Sequence, residues 1–156
     1  MKQDPDMVKI QNNMQPGSLS AEGFLGDDDR NLTDIINEDD QIVKRHGSSH
    51  QEIASRLREM TGSAAAGLGS PVNFGDDFIV SSEDHRGRIP CPFRDRFYAD
   101  KRNTIAENRR TGKRLLWTDL NIHMIEVHGF YEGRGSSFRL EPAELVDFLF
   151  PESRRF

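Results

Sequence analysis

Cys91, the only cysteine, and the histidines His85, His123 and His128 are the side chains of this chain best suited to hold a soft or borderline metal ion. Zinc prefers thiolate sulfur and imidazole nitrogen, and a tetrahedral site takes its donors from two elements brought close together. Cys91 stands between two prolines after a segment with strand character, and His123 and His128 form a His-x4-His pair near the end of a helical segment. A structural zinc ion bound by Cys91, His123 and His128, with His85 as fourth ligand, is one expectation. On a regular helix five residues advance about 500°, so the two histidines point about 140° apart and share an ion only if the last turn tightens or unwinds. Gly129 would permit that. The plainer account, which the sequence favours, makes His123 a hydrogen-bonded core residue and His128 a helix-end residue stabilised by the dipole.

The same residues allow an enzyme. His123-x-x-Glu126-x-His128 matches neither His-Glu-x-x-His nor His-x-x-Glu-His, however. Cys91 could be a thiolate nucleophile beside a histidine, yet its flanking prolines give it neither a helix N-terminus nor an oxyanion donor from the next amide. The Gly-rich stretch 129–137 is not Gly-x4-Gly-Lys-Ser/Thr, and it leads into an extended segment.

A second set is basic and aromatic. Arg86, Arg88, Arg94, Arg96, Lys101, Arg102, Arg109, Arg110, Lys113 and Arg114 interleave with Phe93, Phe97, Tyr98 and Trp117. Cations that track phosphates and rings that stack on bases are what single-stranded nucleic acid requires. The expected partner of this face is nucleic acid or an acidic protein. The plain alternative is that the rings fill the core while the arginines are solvated.

These side chains need elements to position them. Met1 to Arg30 carries Asp-Pro, Gln-Pro-Gly-Ser and three consecutive aspartates with few apolar residues, so residues 1–30 are expected to be a disordered tail. Residues 31–62 read as a helical hairpin. Leu32, Ile35, Ile36, Ile42 and Val43 keep a helical period up to His46-Gly47, and Ser49 with Glu52 forms a capping box. Residues 63–76, rich in Gly, Ser and Ala, read as a flexible linker. Residues 77–156 make an α+β module. Phe78–Val80 should be a strand, with a turn at Asp84–Gly87 and a return at Arg88-Ile89. A second hairpin turns at Arg110–Gly112. Thr118 caps a helix whose inner face is Leu120, His123, Met124 and Val127, and Pro142 opens the last one.

From about Phe78 to Gly129 the order of a cysteine-bearing hairpin, a helix and two late histidines resembles a C2H2 zinc finger in outline, although there is no Cys-x2-4-Cys pair. Glu52-Ile53-Ala54-x-x-Leu57 resembles the opening of a helix-turn-helix unit, but residues 63–69 lack the Arg, Lys, Asn or Gln that read base edges.

Composition sets the remaining limits. The chain has 156 residues, a net charge of −5 and a mean hydropathy of −0.71. Residues 1–84 hold 7 Lys/Arg against 16 Asp/Glu, a net −9, whereas residues 85–156 hold 14 against 10, a net +4. The two parts should attract each other or an outside partner. No apolar run reaches the ~18 residues that span a bilayer. Without a disulfide framework or a secretory signal, the chain is expected to be soluble and cytoplasmic. The expectation is a small, non-enzymatic binding protein with no membrane partner. The alternatives are a small histidine-dependent enzyme, with or without metal, or a protein-interaction adaptor.

Overall fold

A computed structural model describes residues 3–151. Met1 and Lys2 of the expected tail, and residues 152–156 of the expected C-terminal module, lie outside the described residues. Among the described residues, five helices and one four-stranded antiparallel sheet make the fold α+β, as the sequence indicates.

Residues 3–30 are ordered, which overturns the expectation of a disordered tail. Pro5–Asn13 forms α1, with Asp4 as N-cap and Pro5 at the first position. Beyond it, Met14, Phe24 and Leu25 are 0%, 4% and 4% exposed. Burying three such side chains contributes about 1.5–3 kcal/mol each, which offsets part of the entropy cost of ordering. The backbone is paired as well. The amide of Phe24 donates to Met14 (2.9 Å), that of Gly133 to Phe24 (2.9 Å), and that of Asp27 to Arg134 (3.1 Å).

Helix α2 spans Leu32–Arg45 and lacks a side-chain cap of its own. The N-terminal segment supplies what is missing, since Gln11 Oε1 accepts from the Leu32 amide (3.0 Å) and Gln3 Oε1 from the Thr33 amide (2.9 Å). Helix α3 spans His50–Ala66 behind the Ser49 cap, one turn longer than the sequence suggests. It buries Ile53, Ala54, Leu57, Met60 and Ala64 at helical spacing. Residues 63–76, expected as a linker, therefore hold the end of α3 and also strand β1, Val72–Phe74.

Strands β2 (Phe78–Pro90), β3 (Tyr98–Asn108) and β4 (Arg114–Thr118) follow, and the sheet order is β1-β2-β3-β4. The expected turn at Asp84–Gly87 is instead a bulge inside one long strand. Register slips between His85 and Arg88, and Gly87 takes φ +96°, where a Cβ would be strained. The hairpin turn comes later, after Pro90, which pairs with Tyr98. The second hairpin, β3 to β4, turns where the sequence places it, with Asn108 Oδ1 accepting from the Arg110 amide (2.9 Å).

Helix α4, Asp119–His128, starts directly from β4. Thr118 and Asn121 cap each other, and Gly129 ends the helix in the left-handed region at φ +62°. Its buried residues are Leu120, Asn121, Ile122, Met124 and Ile125, while Val127 is exposed, so the inner face is rotated from the expected one. Helix α5, Pro142–Leu149, closes the described chain but for Phe150 and Pro151. One core joins α3, α4 and α5 to Phe78, Val80, Ala106 and Trp117 of the sheet. A second joins Met14, Phe24, Leu32 and Ile35 to Cys91, Phe93 and Met124.

Candidate metal centre

Seven residues, 91–97, link the ends of β2 and β3. The Cys91 amide donates to the Phe97 carbonyl (2.9 Å), and the Phe97 amide to Asp95 Oδ1 (3.0 Å), which fixes the loop as a tight arch. Phe93 and Phe97 pack their rings on α4. Phe93 stacks on His128 at 3.9 Å between centroids, and Phe97 on His123 at 3.7 Å, both within 5° of parallel. Arg94 and Arg96 point outward at φ +62° and +67°, a conformation that costs a non-glycine residue about 1–2 kcal/mol and persists only when the surroundings hold it.

Between these stacks, Asp95 Oδ2 lies 2.6 Å from His123 Nε2 and 2.7 Å from His128 Nε2. The two histidines thus meet at one oxygen despite their angular separation on the helix, because the aromatic stacks hold both rings toward the loop. Cys91 joins them: one donor atom from each of Cys91, Asp95, His123 and His128 lies within 4.8 Å of all the others. Tetrahedral zinc, with bonds of about 2.0–2.3 Å, needs donor separations of about 3.2–3.6 Å, so side-chain adjustments suffice. Sulfur, two nitrogens and an oxygen form a donor set suited to zinc and ill suited to magnesium or calcium.

The electrostatics match a site that exchanges protons for a cation. Burial pushes the Cys91 thiol up to about 12, and the neighbouring Asp95 adds to this. Burial alone would raise the Asp95 carboxyl, yet hydrogen bonds from His128, His123 and the Phe97 amide outweigh it and hold Asp95 well below the usual range. His128 is lowered by burial, against the pull of Asp95. Cys91 forms the buried floor of the site at 4% exposure, the side chains of His123 and His128 are 13% and 18% exposed, and Asp95 closes it from the exposed loop.

His85 stands apart from the group. It lies on β2 opposite Lys101, half exposed, with Nε2 3.8 Å from Glu83. Asp95, which the sequence did not single out, occupies the fourth corner. Its signal was the alternation Cys91, Phe93, Asp95, Phe97, which turns every second side chain of the loop toward α4.

The basic residues do not form one continuous face. Arg109, Arg110, Lys113 and Arg114 lie at the β3–β4 turn, whereas Arg86, Arg88, Arg94, Arg96 and Arg102 lie toward the other end of the long strands. Several face carboxylates: Arg102 with Asp84 (2.7 Å), Arg88 with Asp100 (3.5 Å), Arg110 with Asp77 (3.4 Å) and Arg114 with Glu107 (3.9 Å). Arg109 bonds to Asn73. No helix among the described residues is long and apolar enough to cross a membrane. Comparison with protein-family models, curated proteins and solved structures gives no match.

Proposed function

We propose that this chain is a non-enzymatic, zinc-dependent binding protein. One ion held by Cys91, Asp95, His123 and His128 would fix the 91–97 loop on α4 and present a contact surface for single-stranded nucleic acid. The observation that carries the proposal is the convergence of four donors, from a loop and a helix, within 4.8 Å. Four protein donors complete a tetrahedral shell and leave no open coordination position, which favours a folding role over catalysis at this ion. An enzyme would need an open coordination position and room for substrate beside it.

Nucleic acid is supported over an acidic protein by the outer side of the loop. Tyr98 is 57% exposed near Arg94 and Arg96 in the chain, which pairs a ring with cations as stacked bases and phosphates require. An acidic protein partner would call for the cations and not for the exposed ring.

The test is metal analysis of protein purified without an affinity-tag metal, cobalt(II) exchange, and a titration against a single-stranded oligonucleotide. The expected result is one equivalent of zinc, with a thiolate-to-cobalt charge-transfer band that Cys91→Ser abolishes. Oligonucleotide binding should weaken with salt and with chelator. Failure to take up stoichiometric zinc or cobalt sinks the metal site. Metal uptake without oligonucleotide binding keeps the site and removes nucleic acid as the partner.

A further inference from the structure

A cavity of about 450 Å³ opens between residues 19–24, the bulged region of β2 and β3, and the start of α4. That volume is in the range of small-molecule sites, about 300–1,000 Å³. Its walls are largely apolar, from Leu19, Phe24, Ile89, Leu120 and Phe138, and Glu132 lines it as well.

Glu132 is 3% exposed and carries a carboxylate into this apolar setting. Its Oε2 accepts from Asn121 Nδ2 (3.0 Å) and its Oε1 from Ser136 Oγ (2.6 Å). Both donors are neutral. The nearby Arg139 spends its hydrogen bonds elsewhere: Nη1 donates to the Glu132 backbone carbonyl (2.6 Å), and the guanidinium otherwise binds Asp39 and Glu141. Among the described residues, no cation hydrogen-bonds the Glu132 carboxylate. A buried carboxylate is costly unless a cation or several donors compensate it. Glu22 lines the same cavity and adds a second carboxylate. Arg102, also on the lining, is already engaged by Asp84 and Asp119, while on the exposed rim Asp100 faces Arg88 (3.5 Å) and Lys101 adds a solvated cation.

The backbone is committed to placing this acid. Glu132 sits at φ +70°, a position that glycine or asparagine would occupy with less strain if only a turn were needed. Asn121 is fully buried and is fixed by Thr118 as part of the α4 cap, so one of its two partners is itself locked.

We infer that the cavity is a binding site for a small organic amine with an apolar body, its ammonium seated against the Glu132 carboxylate and its body against Phe24, Leu120 and Phe138. Arg139 lowers the carboxyl only through space, so an ammonium would supply the directly hydrogen-bonded counter-charge that it lacks, and two aromatic walls suit a cation as well as an apolar body. Burial also pushes the Glu132 carboxyl up to about 7, against the opposing hydrogen bonds of Ser136 and Asn121 and the more distant charge of Arg139. None of the four proposed metal donors lines the cavity, so this site and the zinc site stand or fall separately.

The experiment is an amide NMR titration of the full-length chain as purified with three probes of one shape: tryptamine (cationic), 3-methylindole (neutral) and indole-3-propionate (anionic). Tryptamine should bind at least about tenfold more tightly than the other two and shift resonances of Phe24, Leu120, Asn121 and Glu132. Glu132→Gln should remove that preference, leaving tryptamine and 3-methylindole alike. Ala21→Trp, at an exposed position on the lining, should block all three probes without touching the core, and it decides the matter if Glu132→Gln does not fold. The inference is overturned if no probe binds, if tryptamine has no advantage over 3-methylindole, or if the shifts map elsewhere.

Discussion

Asp39 and Arg139 stand 100 positions apart and meet in a two-pronged ion pair, Nη1 to Oδ2 at 2.7 Å and Nη2 to Oδ1 at 3.0 Å, with side chains 2% and 6% exposed. The attraction expected between the acidic first part and the basic second part is realised here at a defined place. Other pairs repeat it: Arg134 with Glu38 at 3.2 Å, and Arg58 with Glu126 at 3.0 Å in the opposite sense of charge. These are more exposed and contribute little, about 0–1 kcal/mol each. The buried pair differs because neither member can be left alone.

Asp39→Ala should therefore destabilise the protein by about 3 kcal/mol, as it removes the buried two-pronged partner and leaves the guanidinium only the more exposed Glu141 as a counter-ion. The double variant Asp39→Leu/Arg139→Met should recover most of that loss, since apolar residues of similar volume often replace a buried pair at little cost. Urea denaturation of both variants checks this. A double variant as unstable as the single one would mean that packing, and not charge, dominates the site.

Zinc affinity should rise with pH. The Cys91 thiol lies at about 12, so it is protonated at neutral pH and must release its proton to bind the ion. Each proton displaced costs about tenfold in affinity per pH unit, so the slope between pH 7 and 9 should be about one. Competition with a chromophoric chelator measures it. His85→Ala should bind as the wild type does, and Asp95→Asn should lose about 10–100-fold. An affinity independent of pH would exclude Cys91 as a ligand.

What the sequence displays is local, and what it conceals depends on distant partners. The caps at Ser49 and Thr118, the stop at Gly129 and the opening at Pro142 are each written within a few residues, and each marks the expected helix end. The order of residues 3–30 was hidden because Met14, Phe24 and Leu25 have no period, and their backbone partners include the loop at Gly133 and Arg134. Gly87 in a polar run looks like a turn, and only the long pairing with β3 makes it a bulge. At the candidate site, Cys91, His123 and His128 are conspicuous by residue type, whereas an aspartate among 26 acidic residues is not. Asp95 becomes visible only when Phe93 and Phe97 are seen stacked on the two imidazoles.

Gly129 couples the end of α4 to the N-terminal helices. It takes φ +62°, and a Cβ there would lie 2.8 Å from His50 Nε2. That ring is held in place by Asp40 (3.0 Å) and by the hydroxyl of Tyr131 (2.8 Å). Gly129→Ala should cost about 1–2 kcal/mol for the backbone, plus the displacement of His50. In His50→Ala/Gly129→Ala the clash is gone, so the two losses should add to less than their sum. Strict additivity in urea melts would show that the backbone conformation alone requires glycine. The single variant should also weaken zinc binding, because His128 is the residue just before the cap.

Glu132 should make stability fall as the solution becomes alkaline. Its carboxyl is raised by burial from 4.5 to about 7, with Ser136 and Asn121 partly opposing the rise. The native state then binds a proton that the unfolded state has lost anywhere between those values. The stabilisation is complete below about pH 4.5 and disappears as pH rises through about 7. The ceiling is about 3 kcal/mol. Glu132→Gln keeps the shape, has no proton to lose, and can still accept from Asn121 while Ser136 turns to accept in its place. Compared with this variant, the wild type should lose stability between pH 5 and 8 by up to that ceiling. Urea denaturation of both proteins in amine-free buffer measures the difference. A gap that stays constant from pH 5 to 8 would mean that the carboxylate is compensated in the native state, by water or by a cation, and that burial does not govern its ionisation.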